Sequence, residues 1–157
     1  MRNGADMHRG KTDSRVARFW DYESQDWGQK YGKSTSYFYR CRTFHEFFTA
    51  ANLDRASILD YGCGSGEITF PMLQSWHSVT GVDIAQGMIR KAAERAKQFG
   101  FTEKASYRHL DDVVLSKISS ESFDVVVCSS VLEYVEDDVL SAQLDGARVR
   151  SRDDDAG

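Results

Sequence analysis

The segment from Ser57 to Gly66 constrains the fold of this chain more than any other. Ser57-Ile58-Leu59-Asp60-Tyr61 is a short apolar run that stops in Gly62-Cys63-Gly64-Ser65-Gly66. It reads as a buried strand running into a tight turn. The glycines stand where side chains would keep a ligand from the backbone and where positive φ is needed. A helix should follow through Met72, Leu73 and Trp76, with Pro71 tolerated only in its first turn. Ser78-Val79-Thr80-Gly81-Val82-Asp83 is a second strand. Ala85 to Phe99 is the clearest helix, with Met88, Ala92, Ala96 and Phe99 on one face and Gly100 as its stop. Ala105 to Leu110 gives a third, weaker strand. Phe123-Asp124-Val125-Val126-Val127-Cys128 gives a fourth, apolar and β-branched as for a strand covered on both faces. Strands alternating with helices mean βαβ units, a parallel sheet and an α/β fold. Ligands of such sheets sit at the carboxyl ends of the strands. Those ends are Asp60–Gly66, Asp83, Asp111–Asp112 and Ser129–Ser130.

The chain around this unit divides by pattern. Residues 1–15 are polar and charged, without the apolar stretch of a secretory signal, and read as a disordered leader. Residues 16–56 form a helical or lid segment. It begins with Phe19, Trp20, Tyr22, Trp27 and Tyr31, dense enough to pack over something or to join the core. Then Tyr37, Cys41, Phe44, Phe48 and Ala51 recur in steps of four and three along one helix face, which Ser34, Thr35 or Ser36 can cap. Residues 57–140 hold the strands, with a last helix from about Asp137 to Ala147, and 141–157 form an atypical polar tail. The whole has 157 residues, enough for one core. A net charge of −4 argues against a general nucleic-acid or membrane-surface binder. No stretch approaches the roughly twenty apolar residues of a membrane span. Cys41, Cys63 and Cys128 are odd in number and widely spaced, which fits free thiols in a reducing compartment and makes the cytoplasm the default. No cluster of His and Cys has metal-ligand spacing, so no metal is expected.

The chemistry lies at the strand ends. The dinucleotide fingerprint is G-x-G-x-x-G, whereas Gly62, Gly64 and Gly66 give the tighter G-x-G-x-G. Asp60, two positions before the first glycine, is a poor neighbour for a pyrophosphate and a good one for an ammonium group. Asp83, at the end of the second strand, can accept hydrogen bonds from both hydroxyls of a ribose.

Four stretches in order then carry a family resemblance. Ile58-Leu59-Asp60-Tyr61-Gly62-Cys63-Gly64-Ser65-Gly66 resembles motif I of the Rossmann-like, S-adenosylmethionine-dependent methyltransferases. Val79-Thr80-Gly81-Val82-Asp83-Ile84 is similar to the second motif, and Leu110-Asp111-Asp112-Val113-Val114-Leu115 to the acidic third-strand motif. Ser122-Phe123-Asp124-Val125-Val126-Val127 with Val131-Leu132-Glu133-Tyr134-Val135 resembles the fourth. The resemblance covers residues 57 to 138 and is nearest to the small-molecule branch of the family. It implies a parallel sheet of strand order 3-2-1-4 and S-adenosylmethionine as cofactor. Asp60, Gly62 and Gly64, within a turn that includes Cys63 and Gly66, would hold its methionine part. Asp83 would bind the ribose and Ile84 pack on the adenine. Asp111 would accept from the adenine amino group with the Asp112 backbone nearby, and Ser129 would lie under the sulfonium. Tyr22 and Tyr31, with Trp27, would form a lid. Methyl transfer from a sulfonium needs mainly alignment and exclusion of water. A general base is needed only if the acceptor must lose a proton, and Tyr134, Glu133 and His109 are the candidates.

The sequence departs from the family after the fourth strand. Members continue for about another hundred residues with three more strands, and the tail here resembles neither the next helix nor the next strand. A truncated gene, a frameshift or a fragment would each give this pattern. On that reading the fourth strand becomes an exposed apolar edge, which predicts self-association or poor solubility; a monodisperse monomer in light scattering would count against it. Three functions follow, in this order. The first is a methyltransferase acting on a small molecule. The second is a non-catalytic or truncated cofactor-binding module. The third is a nicotinamide-dependent oxidoreductase, against which the G-x-G-x-G spacing counts.

Overall fold

The structure is a computed structural model that describes residues 14–31, 33–51, 53, 55–75, 77–110, 118, 122–131 and 148–149. Four strands form a parallel sheet: β1 (Ser57–Tyr61), β2 (Ser78–Asp83), β3 (Ala105–His109) and β4 (Val125–Cys128). Their order is β3-β2-β1-β4, as the resemblance implies. Three helices precede the sheet: α1 (Ser14–Glu23), α2 (Trp27–Tyr31) and α3 (Thr35–Ala50), with a 3-10 turn at Ser24–Asp26 between the first two. Among the described residues, α4 (Phe70–Gln74) and α5 (Gln86–Gln98) connect its strands. Among the described residues, no helix is long and apolar enough to cross a membrane.

β1 lies inside the sheet and is buried on both faces, so its alternating side chains enter two cores. Ile58 joins Phe48, Met72, Leu73, Val79 and Val127 on one side. Leu59 and Tyr61 join Val82, Leu110, Ile118 and Phe123 on the other. Ile58 and Leu59 are 0% and 1% exposed, and each such aliphatic side chain contributes about 1.5–3 kcal/mol on burial. α3 places Phe48 in the core with Phe44 packed against it, while Phe38, Tyr39 and Phe47 face solvent, so the expected face is the inward one. α5 buries Met88, Ala92 and Ala96. It ends in a Schellman pair: Phe101 N–H donates to the Ala96 carbonyl at 2.8 Å, and Gly100 N–H to that of Lys97 at 3.2 Å.

Several expectations need correction. Ser14 and Arg15, assigned to the leader, begin α1. Ser34 is the N-cap of α3, but its hydroxyl pairs with that of Ser36 at 2.9 Å and caps no backbone N–H. α4 stops at Gln74 rather than continuing to Trp76, which lies outside the described residues. Phe99 leaves the buried face of α5 because it is the C-cap, where the helical period ends; it stacks edge-on against Phe70 at 5.1 Å instead. The fourth strand is broken at Asp124. The carboxylate of Asp124 accepts Ser57 N–H at 2.6 Å, and its own N–H donates to the Ser57 carbonyl at 2.9 Å. Ser122–Phe123 ahead of the break pairs in parallel with Arg148–Val149. β4 is buried only at Val127, because it occupies the outer position of the described sheet. The helix expected over Asp137–Ala147 lies outside the described residues.

Candidate cofactor site

All four strands point the same way, so their carboxyl ends share one edge of the sheet. β1 leaves that edge through the glycine turn. Gly62 N–H and Cys63 N–H both donate to the Val82 carbonyl, at 2.8 and 3.0 Å, which folds the turn back over the end of β2. Gly62 has φ +72°, and a β-carbon there would lie 2.0 Å from Val131 Cγ2. Gly64 has φ +54°, and a β-carbon there would meet nothing within 4 Å. Gly64 therefore presents bare backbone to open space at the sheet edge. Gly66 backs onto the Tyr107 ring and takes part through packing.

Asp83 joins this turn to the next. Its Oδ2 accepts Gly64 N–H at 2.9 Å, and its Oδ1 accepts Ala85 N–H at 2.8 Å. Burial raises its carboxyl pKa, while these two backbone donors and His109 oppose the rise. Asp60 is more deeply set, at 2% exposure. Thr69 Oγ1 donates to its Oδ2 at 2.7 Å. Burial pushes the Asp60 carboxyl up to about 7 against the pull of that hydrogen bond, and the nearby Asp83 and Glu67 add to the rise. Two carboxyl groups on adjacent strands thus stand near each other at the glycine turn, Asp83 bonded to Gly64 and Asp60 to Thr69.

The remaining expected residues divide. The Cys63 thiol is buried, donates to the Gly64 carbonyl at 3.4 Å and lies against Gly81. Burial raises its pKa well above the usual thiol value, so Cys63 contributes backbone rather than sulfur chemistry. Ile84 packs against the core cluster of Leu59 and Val82. The His109 Nε2–H donates to the Ile84 carbonyl at 3.0 Å, which ties the end of β3 to the turn after β2. Ser129 follows β4 directly, next to Ser130 at φ +57°. Tyr22 stands on α1 with 68% of its surface exposed. The side chain of Tyr31, and Asp111, Asp112, Glu133 and Tyr134, lie outside the described residues. Thr69 escaped the sequence reading. It lies nine residues beyond Asp60, and only the fold brings its hydroxyl to that carboxylate.

Known proteins are similar to this chain in sequence and in fold. The family described as Methyltransferase domain matches residues 58–150, beyond residue 138 where the motifs end. Ubiquinone biosynthesis O-methyltransferase from Paracidovorax citrulli is 36% identical over 87 residues, 55% of this chain and 36% of that protein. Its counterpart from Psychrobacter arcticus is 30% identical over 93 residues, 59% of this chain and 36% of that protein. The chain thus spans about a third of the length of these curated relatives. Magnesium protoporphyrin IX methyltransferase from Synechocystis PCC 6803, solved with bound SAM, superposes with a TM-score of 0.68 at 21% identity, over 92% of this chain and 72% of that one. A SAM-dependent methyltransferase from Thiobacillus denitrificans gives 0.57 at 24% identity, over 68% and 44%. The family match extends over more than half of the chain and begins at β1, so this chain belongs to the Methyltransferase domain family.

Proposed function

We propose that the chain binds S-adenosylmethionine at the carboxyl edge of β1 and β2 and serves methyl transfer to a small-molecule acceptor. The observation that carries this reading is the placement of Asp83, fixed by Gly64 N–H and Ala85 N–H beside backbone that opens to solvent. The donor set fits the cofactor. Asp83 supplies a carboxylate for a ribose diol, Asp60 supplies one for an ammonium group, and Gly64 leaves room for the chain between them. When bound, the cofactor supplies an activated methyl group on sulfur. The protein holds it: Asp60, Gly62 and Gly64 at the amino-acid end, Asp83 at the ribose, and Ile84 beside the base. Asp111, Asp112 and Ser129 complete the set in this proposal. His109, its Nε2–H engaged by the Ile84 carbonyl, braces the site rather than moving a proton. The relatives' names, ubiquinone biosynthesis O-methyltransferase and magnesium protoporphyrin IX methyltransferase, support a small acceptor. The free cysteines support a reducing compartment such as the cytoplasm.

Isothermal titration with S-adenosylmethionine, S-adenosylhomocysteine and NAD tests the reading. Micromolar binding of the first two and none of NAD is the expected result. Binding of NAD alone would put the oxidoreductase reading in its place. Cofactor binding without transfer to any quinol or porphyrin acceptor would leave a binding module.

A further inference from the structure

α5 begins without a cap of its own. Its N-cap is Ala85, in an extended conformation, and its first turn holds no acidic residue. The first amides of a helix have no intrahelical acceptor, and a side-chain oxygen at the N-cap ordinarily takes one of them. Here the oxygen comes from another part of the chain. Asp21 Oδ1 accepts Gly87 N–H at 2.7 Å, across 66 residues of sequence. The turn that brings Asp21 there is itself tied, since Ser24 Oγ donates to the Asp21 carbonyl at 2.7 Å and Ser24 is buried. A β-carbon on Gly87 would stand 2.2 Å from Ser24 Oγ and 3.3 Å from Asp21 Oδ1. The missing side chain of Gly87 is therefore the seat of the N-terminal segment.

Two carboxylates thus hold alternate amides of one short stretch. Asp83 takes Ala85 N–H and Asp21 takes Gly87 N–H. The other oxygen of Asp83 holds Gly64 N–H in the glycine turn. We propose that Asp21 is a positioning residue that caps α5 from the N-terminal segment and thereby fixes the turn that presents Asp83 to the glycine loop. The cofactor part of this inference rests on the function proposed above. The positioning part concerns the protein alone. Docking of the N-terminal segment and the geometry of the ribose carboxylate become one equilibrium, so cofactor binding and docking strengthen each other by the same factor. The charge of Asp21 also reaches Asp83 and adds to the rise of its pKa.

The test compares the whole chain with Asp21→Ala, Asp21→Asn and Gly87→Ala by amide hydrogen exchange without ligand and by titration with S-adenosylmethionine. Loss of a cap corresponds to about a fivefold change in an opening equilibrium. In Asp21→Ala, exchange at Gly87 and at Gly64 is expected to quicken by about that factor, and Kd to rise comparably. Asp21→Asn keeps a side-chain acceptor and restores most of both. Gly87→Ala displaces Ser24 with Asp21 intact and reproduces the alanine phenotype, which keeps the test decisive if one variant folds poorly. Quickened exchange at Gly87 with Gly64 unchanged would make the cap structural only and overturn the proposal, as would no change at either amide. If the unsubstituted chain binds no S-adenosylmethionine, the functional reading fails while Gly64 exchange still decides the role of Asp21.

Discussion

Replacing Asp83 by alanine is expected to weaken S-adenosylmethionine binding by about two to four orders of magnitude while the chain stays folded. A carboxylate that accepts from both ribose hydroxyls makes two charge-assisted hydrogen bonds, each contributing about 1.5–3 kcal/mol. Every 1.4 kcal/mol lost is about tenfold in affinity. The substitution also frees Gly64 N–H and Ala85 N–H, so the glycine turn loses its tie to β2. Stability falls by less than affinity, because removing Asp83 also removes a carboxylate that burial disfavours. Asp83→Asn retains one acceptor oxygen and should fall between the two. Titration calorimetry with thermal melts of the same samples measures both effects. An Asp83→Ala chain that melts normally and keeps its Kd would remove Asp83 from the ribose.

The second large effect is one of pH. The carboxyl of Asp60, on β1, has its pKa pushed from 3.8 up to about 7 by burial. Between these values the folded chain keeps a proton that the unfolded chain has released. Stability from this residue is therefore fully present below about pH 4, declines as pH rises through that window and levels off above about 7. Binding runs the other way. An ammonium group is attracted to the ionised carboxylate, so binding below pH 7 must expel the Asp60 proton. Affinity is expected to rise by up to about tenfold per pH unit until about pH 7, and a proton should appear in solution. Calorimetry in buffers of different ionisation enthalpy reads that proton directly. Asp60→Asn keeps an acceptor for Thr69, binds more weakly at neutral pH and loses the slope. A wild-type Kd that is flat from pH 5 to about 7 would show that Asp60 does not titrate against the ligand.

What was legible in the sequence was local. The strand and glycine turn at Ser57–Gly66, the Met88, Ala92 and Ala96 face of α5 and the Gly100 stop depend on neighbours a few residues away, and period and turn chemistry carry such information. What was not legible depended on distant partners. Asp124 looks like an interior residue of a continuous strand until its carboxylate is found holding Ser57 N–H. Thr69 looks like an ordinary helix-start residue until the fold sets it beneath Asp60. Asp21 looks like one surface charge among many in the N-terminal helices until its oxygen is found on Gly87. The glycine turn behaves the same way. Its spacing announces a ligand, but only the fold separates Gly64, which opens to solvent, from Gly66, which backs onto Tyr107.

The sheet order also has a consequence for how the chain assembles. The bond from Ala56 N–H to His77 Nδ1, just ahead of β1 and β2, closes a loop of 21 residues, whereas Asp124 must come back across 67 to reach Ser57. Loop-closure entropy makes the longer return costlier by about 1 kcal/mol, so β1, β2 and β3 have the head start. Gly62 N–H bonds the Val82 carbonyl and Gly64 N–H bonds Asp83, both wholly within that early unit. That order of assembly favours a cradle whose backbone bonds form first, with β4 docking onto it afterwards.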